Sequence, residues 1–417
     1  MVYIVPHSDE MLMNAPNSLA AKAAAEAIWS LALLTALAGC GNRMVAQTDP
    51  AISRPAASAD NSSSSDESQW PVFRGNAQAT GVSAGHLTEQ PELQWKYNVE
   101  KGAFEATPVI VDSTVYIGDM DGTFYALDLQ SGAKRWTFDQ GKDKAGFTAA
   151  AAVRDGMVYI GDMDGAFFCL DAKTGEKKWE ATSDGEIDSA ANFYQGNVLF
   201  GSQDTTLYCL DAKTGQRQWT HQIGDQIRCS PTVIENCCFL AGCDGKLHVI
   251  DLHHGEETGA VDIHSPTGCT PAASGNLIYF GTEGGTFFSV NWKELKSVWM
   301  WQDKAKGLSI RASAALTPQA VIFGGRDKTV HARDPQTGEK LWDFATKGRV
   351  DSSPVVVDER VYVGSADGRV YGFDLKSGQP VWQYEAGGAL VGSPAVAQGR
   401  LVIASDAGVV YCFGDKK

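Results

Sequence analysis

The sequence predicts an all-β chain folded as an eight-bladed β-propeller of four-stranded antiparallel blades, and two observations carry that expectation. The first is repetition. From Trp95 onward an Asp-Gly turn or its equivalent recurs at Asp121, Asp164, Asp204, Asp244, Gly284, Asp327, Asp367 and Ala407, at spacings of 40 or 43 residues. A period of that size marks stacked supersecondary units. Within a unit an apolar run such as TPVIV is followed by a turn, VYIG, a second turn, FYALD, a third turn and a Trp-bearing run. Three turns between four short runs make an antiparallel meander, and eight meanders make a ring of blades. The second observation is that the chain ends are complementary. The last unit stops at VVYCFGDKK, after its third strand, whereas ELQWKYNV at 92–99 is a fourth strand with nothing before it. The N-terminal strand is therefore expected to complete the last blade and close the ring, leaving no free sheet edge.

Taken in chain order, the first element is not part of the ring. Lys22 precedes the apolar run AIWSLALLTALAG, too short to span a bilayer and ending in small residues as export signals do. The start MVYIVPHSDEMLMN carries acids and no Lys or Arg, which makes Met11 or Met13 a second candidate start. The run closes on Leu37-Ala38-Gly39-Cys40, which resembles the lipobox of bacterial lipoproteins. That resemblance implies a signal peptide over 1–39, acylation of the Cys40 thiol, and, with Gly41 following, retention at the outer membrane. Residues 40–69 are polar and rich in Ser, Ala and Pro, the composition of a tether that cannot bury a core. A lead-in segment, 70–91, then precedes the propeller, 92–417.

Each blade repeats one set of devices. The third turn reads D-x-x-[ST]-G in most units, and the tryptophan that follows, at Trp95, Trp136, Trp179, Trp219, Trp299, Trp342 and Trp382, is placed to wedge between neighbouring blades as a structural contact. Blade 4 has Gly259 where the Trp belongs, and blade 5 keeps Trp299 without the T-G turn. The motif DMDG at 119–122 and 162–165 raises the question of calcium, but a hard cation takes six or more oxygens and an EF-hand loop needs more acids than these. At the first acid the other units carry Ser202, Gly242, Thr282, Gly325, Ser365 and Ser405. DMDG is therefore expected to turn the chain rather than to bind metal.

The remaining candidate chemistry is sparse. Cys237-Cys238 falls at a blade-edge hairpin. Cys169, Cys209 and Cys412 share a third-strand position held elsewhere by Ala126, Ser289, Ala332 and Gly372, with Val249 the larger exception. Cys229 and Cys243 point to opposite faces of their sheet and are not expected to bridge. His253-His254 sits in a turn, where a solvated pair is the expectation over a metal site. No nucleophile and base pairing and no phosphate-cradling glycine loop stands out, so no catalytic residue, metal or cofactor is expected. The formal net charge of −15 argues against nucleic acid and anionic lipid surfaces as partners. Register places Glu105, Thr148, Asp188 and Arg228, then Gly268, Arg311, Asp351 and Val391, around one mouth of the central channel, a rim of mixed charge suited to docking.

The unit ends ALDLQSGAKRW, CLDAKTGEKKW, CLDAKTGQRQW, ARDPQTGEKLW and GFDLKSGQPVW resemble the tryptophan-docking repeat of quinoprotein (PQQ-type) propellers over roughly residues 92–417, and WPVFRGNAQATGVS at 70–83 resembles the lead-in of PQQ-like repeat proteins. Together with the lipobox and tether, the chain resembles the BamB-type lipoproteins, accessory subunits of the outer-membrane β-barrel assembly machine. That resemblance implies a non-catalytic protein, lipid-anchored at the periplasmic face of the outer membrane, whose partner is the barrel-inserting subunit. Leu308-Ser309-Ile310-Arg311 resembles the family's L-S-L-R partner-binding stretch, and Arg349-Val350-Asp351 its D-V-D stretch with Arg in place of the first acid. Leu308, Ile310, Arg311 and Asp351 are thereby implied as partner-binding residues. Two alternatives stay open, a PQQ-dependent oxidoreductase and a ligand-sensing propeller.

Overall fold

The computed structural model describes residues 69–416 apart from 101, 142–143 and 303–306. The expected signal peptide and lipobox, Cys40 and the expected tether up to residue 68 lie outside the described residues. The ring is the predicted one, with eight antiparallel four-stranded sheets, one of them gaining a short fifth strand. In blade 1 the strands are Val109–Val111, Thr114–Gly118, Thr123–Asp128 and Lys134–Asp139. The second is buried along its whole length, and the third at all but its two end residues, because both faces of a blade press on neighbouring blades. The outer strand alternates exposed and half-buried residues. Asp112 and Ser113 both take positive φ in the first hairpin, the handedness that a two-residue loop needs to match strand twist.

Ring closure follows the complementarity of the ends. Glu92–Asn98 pairs antiparallel with Val409–Gly414, with Trp95 opposite Cys412. The Trp95 indole then crosses to blade 1, donating from Nε1 to the Leu129 carbonyl at 2.8 Å and lying against Gly132. Gly132 has φ +71, and a Cβ there would meet the indole at 2.6 Å, so glycine serves both the turn and the close approach. Trp136, Trp179, Trp299 and Trp342 repeat the geometry against Gly175, Gly215, Gly338 and Gly378, each with an Nε1 bond to a carbonyl in the next blade's third turn, and Trp219 lies on Gly255. Trp382 donates instead to the Pro91 carbonyl, at the seam.

The small third-strand residues acquire a reason here. Ala126, Cys169, Cys209, Ser289, Ala332, Gly372 and Cys412 are the cross-strand partners of the seven tryptophans. A small side chain leaves room for the indole beside it. At the exception, Val249 faces Gly259, and the Leu295 side chain of blade 5 reaches into the space above Gly259. Leu295 occupies the turn position that is glycine elsewhere and still holds φ +53. The Trp-on-Gly contact is thus inverted to Leu-on-Gly, with Val249 filling the remainder.

The lead-in departs most from expectation. It does not precede the ring as a separate segment but runs inside it, meeting the inner strands of the blades in sequence. Trp70 exchanges both backbone bonds with Ile110 of blade 1. Carbonyls of Pro71, Ala77, Gln78, Thr80 and Gly81 then accept the amides of Val153, Val233, Ala273, Leu316 and Val356. Asn192 of blade 3 donates its side-chain amide to Ala77, Val82–Ser83 adds a parallel strand to blade 7, and Ser83 donates to Val396 of blade 8. The inner edges of eight blades would otherwise present unpaired backbone groups to the channel, and this segment satisfies them. The chain leaves past Asp358 and Arg360 of blade 7 and continues into the strand bearing Trp95.

Arg74 is the centre of this inner segment. Its guanidinium is 1% exposed and donates to the carbonyls of Ala314, Ser353 and Pro354, in blades 6 and 7. Burial lowers its pKa to about 9, so it stays charged at neutral pH. Gly81 holds φ +66 directly against the guanidinium, where a Cβ would overlap it.

Candidate functional site

With one end of the channel filled by residues 70–83, what remains is a funnel of about 170 Å³ on the face where the inner strands begin. All eight rim positions expected from register line it, and Phe73 of the inner segment is part of its wall. Below the rim a second ring is built from the Ser or Thr two residues further along. The amides of Ala190, Ser230, Thr270, Ser313, Ser353 and Ser393 donate to the hydroxyl oxygens of Ser230, Thr270, Ser313, Ser353, Ser393 and Thr107, at 2.9–3.1 Å. Each bond joins one blade to the next. The series is interrupted at Ala150 and Ala190, which carry no hydroxyl.

DMDG caps turns on this same face. Asp119 is buried and its carboxylate accepts the amides of Asp121 and Thr123 at 3.0 and 2.8 Å and the Tyr125 hydroxyl at 2.7 Å. Burial and then the Asp119 carboxylate push the Tyr125 phenol well above its usual value. Asp162 accepts the equivalent amides of Asp164 and Ala166. Ser202, Thr282 and Ser365 do the same work with a hydroxyl. Among the described residues, no three His, Cys, Asp or Glu side chains gather to hold a metal ion. Asp119→Ala is expected to cost about 1–2 kcal/mol from the lost turn bonds. Calcium or a chelator should leave the melting temperature of either protein unchanged; a calcium-dependent shift in the parent protein would restore the metal reading.

The predicted docking residues divide. Leu308 is 46% exposed, and the Arg311 side chain, 45% exposed, pairs with Glu283 at 2.7 Å. Ile310 is 3% exposed and packs over Gly281 in the core between blades 5 and 6, so as folded it offers no surface to a partner and instead supports the loop from beneath. Asp351 shares the funnel with Arg311, but its side chain is only 9% exposed, held by two bonds from Arg326 at 2.9 and 3.0 Å and one from Arg349 at 2.8 Å. The Arg in place of the first D-V-D acid thus closes onto the remaining one. Cys237 and Cys238 begin the second strand of blade 4, at the far end of the blade from the funnel, and no disulfide links the described cysteines. His253 contacts Tyr194 and His254 pairs with Asp251.

Eight blades, six of their junctions a tryptophan lying on a turn glycine, define a PQQ-like repeat propeller. The chain belongs to the family described as outer membrane protein assembly factor BamB, whose model matches residues 71–151, 140–268, 225–343 and 326–416. No curated protein sequence matches it. Among solved structures, BamB from Moraxella catarrhalis superposes with a TM-score of 0.66 at 19% identity, covering 78% of this chain and 100% of that one. Quinohemoprotein alcohol dehydrogenase from Comamonas testosteroni superposes with a TM-score of 0.70 at 16% identity, covering 84% and 81%. A europium-containing methanol dehydrogenase gives 0.69 at 13%, covering 84% and 98%. At these identities the likeness is one of fold. In this chain residues 70–83 run along the channel, the funnel left is about 170 Å³, and the three acids that line it, Glu105, Asp188 and Asp351, are not gathered as a metal-ligand group among the described residues.

Proposed function

We propose that this protein is a non-catalytic envelope scaffold, a BamB-like accessory lipoprotein in outer-membrane β-barrel assembly, anchored through Cys40 at the periplasmic face. One observation carries the reading: a chain of the BamB family fills its own channel, leaving the rim and its loops as the surface available for work. The exposed Leu308 and Arg311 supply an apolar contact and a charge of the kind that concentrates interface energy. Asp351 orders the neighbouring loop through Arg326 and Arg349. The oxidoreductase reading has no comparable support in the residues.

The test is capture from solubilised envelopes with the full-length lipoprotein as bait. The barrel-inserting subunit is the expected partner, and Leu308→Ala or Arg311→Ala should each weaken its binding by about 2 kcal/mol without lowering thermal stability. Unchanged affinity in both variants would remove the docking assignment. Anchoring is tested separately: Cys40→Ala should move the protein from the membrane to the soluble fraction, and unchanged fractionation would refute acylation at that residue.

A further inference from the structure

We propose that the funnel binds a small zwitterion, a free amino acid or a short peptide with unblocked ends, a function independent of the scaffold role. Some of the charges in the funnel are already neutralised. Arg311 is paired with Glu283, and Asp351 with Arg326 and Arg349, while Glu105, exposed on the rim of blade 1, stands three blades from Arg228. Asp188 and Arg228, in adjacent blades, are different. The Asp188 carboxylate is oriented by neutral donors only, the Thr148 hydroxyl at 2.8 Å and the Gln203 amide at 2.6 Å. The Arg228 guanidinium is oriented by a neutral acceptor only, the Gln226 side-chain carbonyl, at 3.1 Å from Nε and 2.7 Å from Nη2. Among the described residues neither has an ion-pair partner, and they do not reach each other.

Two opposite charges held apart, each fixed by uncharged neighbours, present a socket for a ligand with the reverse order of charge. Its ammonium group would sit at Asp188 and its carboxylate at Arg228. The Ser230 and Thr270 hydroxyls add to the carboxylate side. Their oxygens already accept backbone amides, which leaves their protons free to donate into the funnel. Gly268, next around the rim, has no side chain to crowd Arg228. The cavity of about 170 Å³ suits a ligand of amino-acid size. Charge-assisted bonds at both ends, inside a concave site, are the ones that fix a small polar ligand.

The test is calorimetric titration of the full chain with each free L-amino acid and with glycylglycine, at millimolar concentration, beside their N-acetylated and C-amidated forms. At least one unblocked compound should bind, and blocking either end should weaken it by about tenfold or more. Asp188→Asn and Arg228→Gln should each produce the same loss while keeping the parent's melting temperature. Tighter binding of glycylglycine than of any single amino acid would assign the source to peptides, and the reverse to free amino acids. No detectable binding of any unblocked compound, equal binding of blocked forms, or binding indifferent to both substitutions would overturn the proposal. Capture of an envelope partner by Asp188→Asn and Arg228→Gln should be unchanged, so the scaffold reading stands or falls separately.

Discussion

Trp95→Ala is expected to lower stability by about 3–5 kcal/mol, the usual cost of deleting a buried aromatic. The loss should exceed that of the same substitution at the half-buried Trp136. Trp95 belongs to the only outer strand that the N-terminus donates, and its indole is what blade 8 sets against blade 1. Truncation removes the bond to the Leu129 carbonyl, the contact with Gly132 and the packing beside Cys412. The seam joins residues more than three hundred positions apart in sequence, so opening it releases the longest loop in the molecule. Urea unfolding should show a lower midpoint for Trp95→Ala. A midpoint equal to that of the parent would mean that the inner segment alone holds the ring closed.

The second large effect is expected at Arg74. Arg74→Ala leaves the carbonyls of Ala314, Ser353 and Pro354 without that donor and opens a cavity beneath the funnel. Bonds to a charged group contribute about 1.5–3 kcal/mol each, and a net loss of about 3 kcal/mol is expected after relaxation. Arg74→Lys should recover only part of it, because one ammonium cannot span acceptors in two blades as a planar guanidinium does. Protease cleavage within residues 70–83 should appear in Arg74→Ala and not in the parent. Full resistance together with an unchanged urea midpoint would show that the backbone bonds alone seat the segment.

Trp95 and Arg74 are unequally visible in the sequence. Trp95 was legible because its strand lacked a partner and the last unit lacked a strand. The tryptophan positions, their small cross-strand neighbours and the rim were legible for a related reason. A residue repeated every 40 or so positions in a closed ring must occupy equivalent places. Arg74 was not legible. The segment WPVFRGNAQATGVS has no period, and its bonds run to eight inner strands scattered over nearly three hundred residues of chain. Nothing local announces that an extended run will find unpaired sheet edges lining a channel.

The same division applies to the candidate sites. DMDG could be read as a turn by comparing it with the serine and threonine that replace its first acid, and Asp119 makes the bonds such a turn requires. Leu308 and Ile310 look alike in sequence, and only packing against Gly281 separates a buried support from an exposed contact. Arg349 reads as the loss of an acid until it is seen to close on Asp351. Sequence by itself determined the blade count, the closure strand and the ring of equivalent positions, since these follow from period and strand pattern. Tertiary structure decided which rim charges are neutralised, what fills the channel and how Leu295 stands in for a missing tryptophan. Those outcomes depend on distances between blades, which no repeat in the chain encodes.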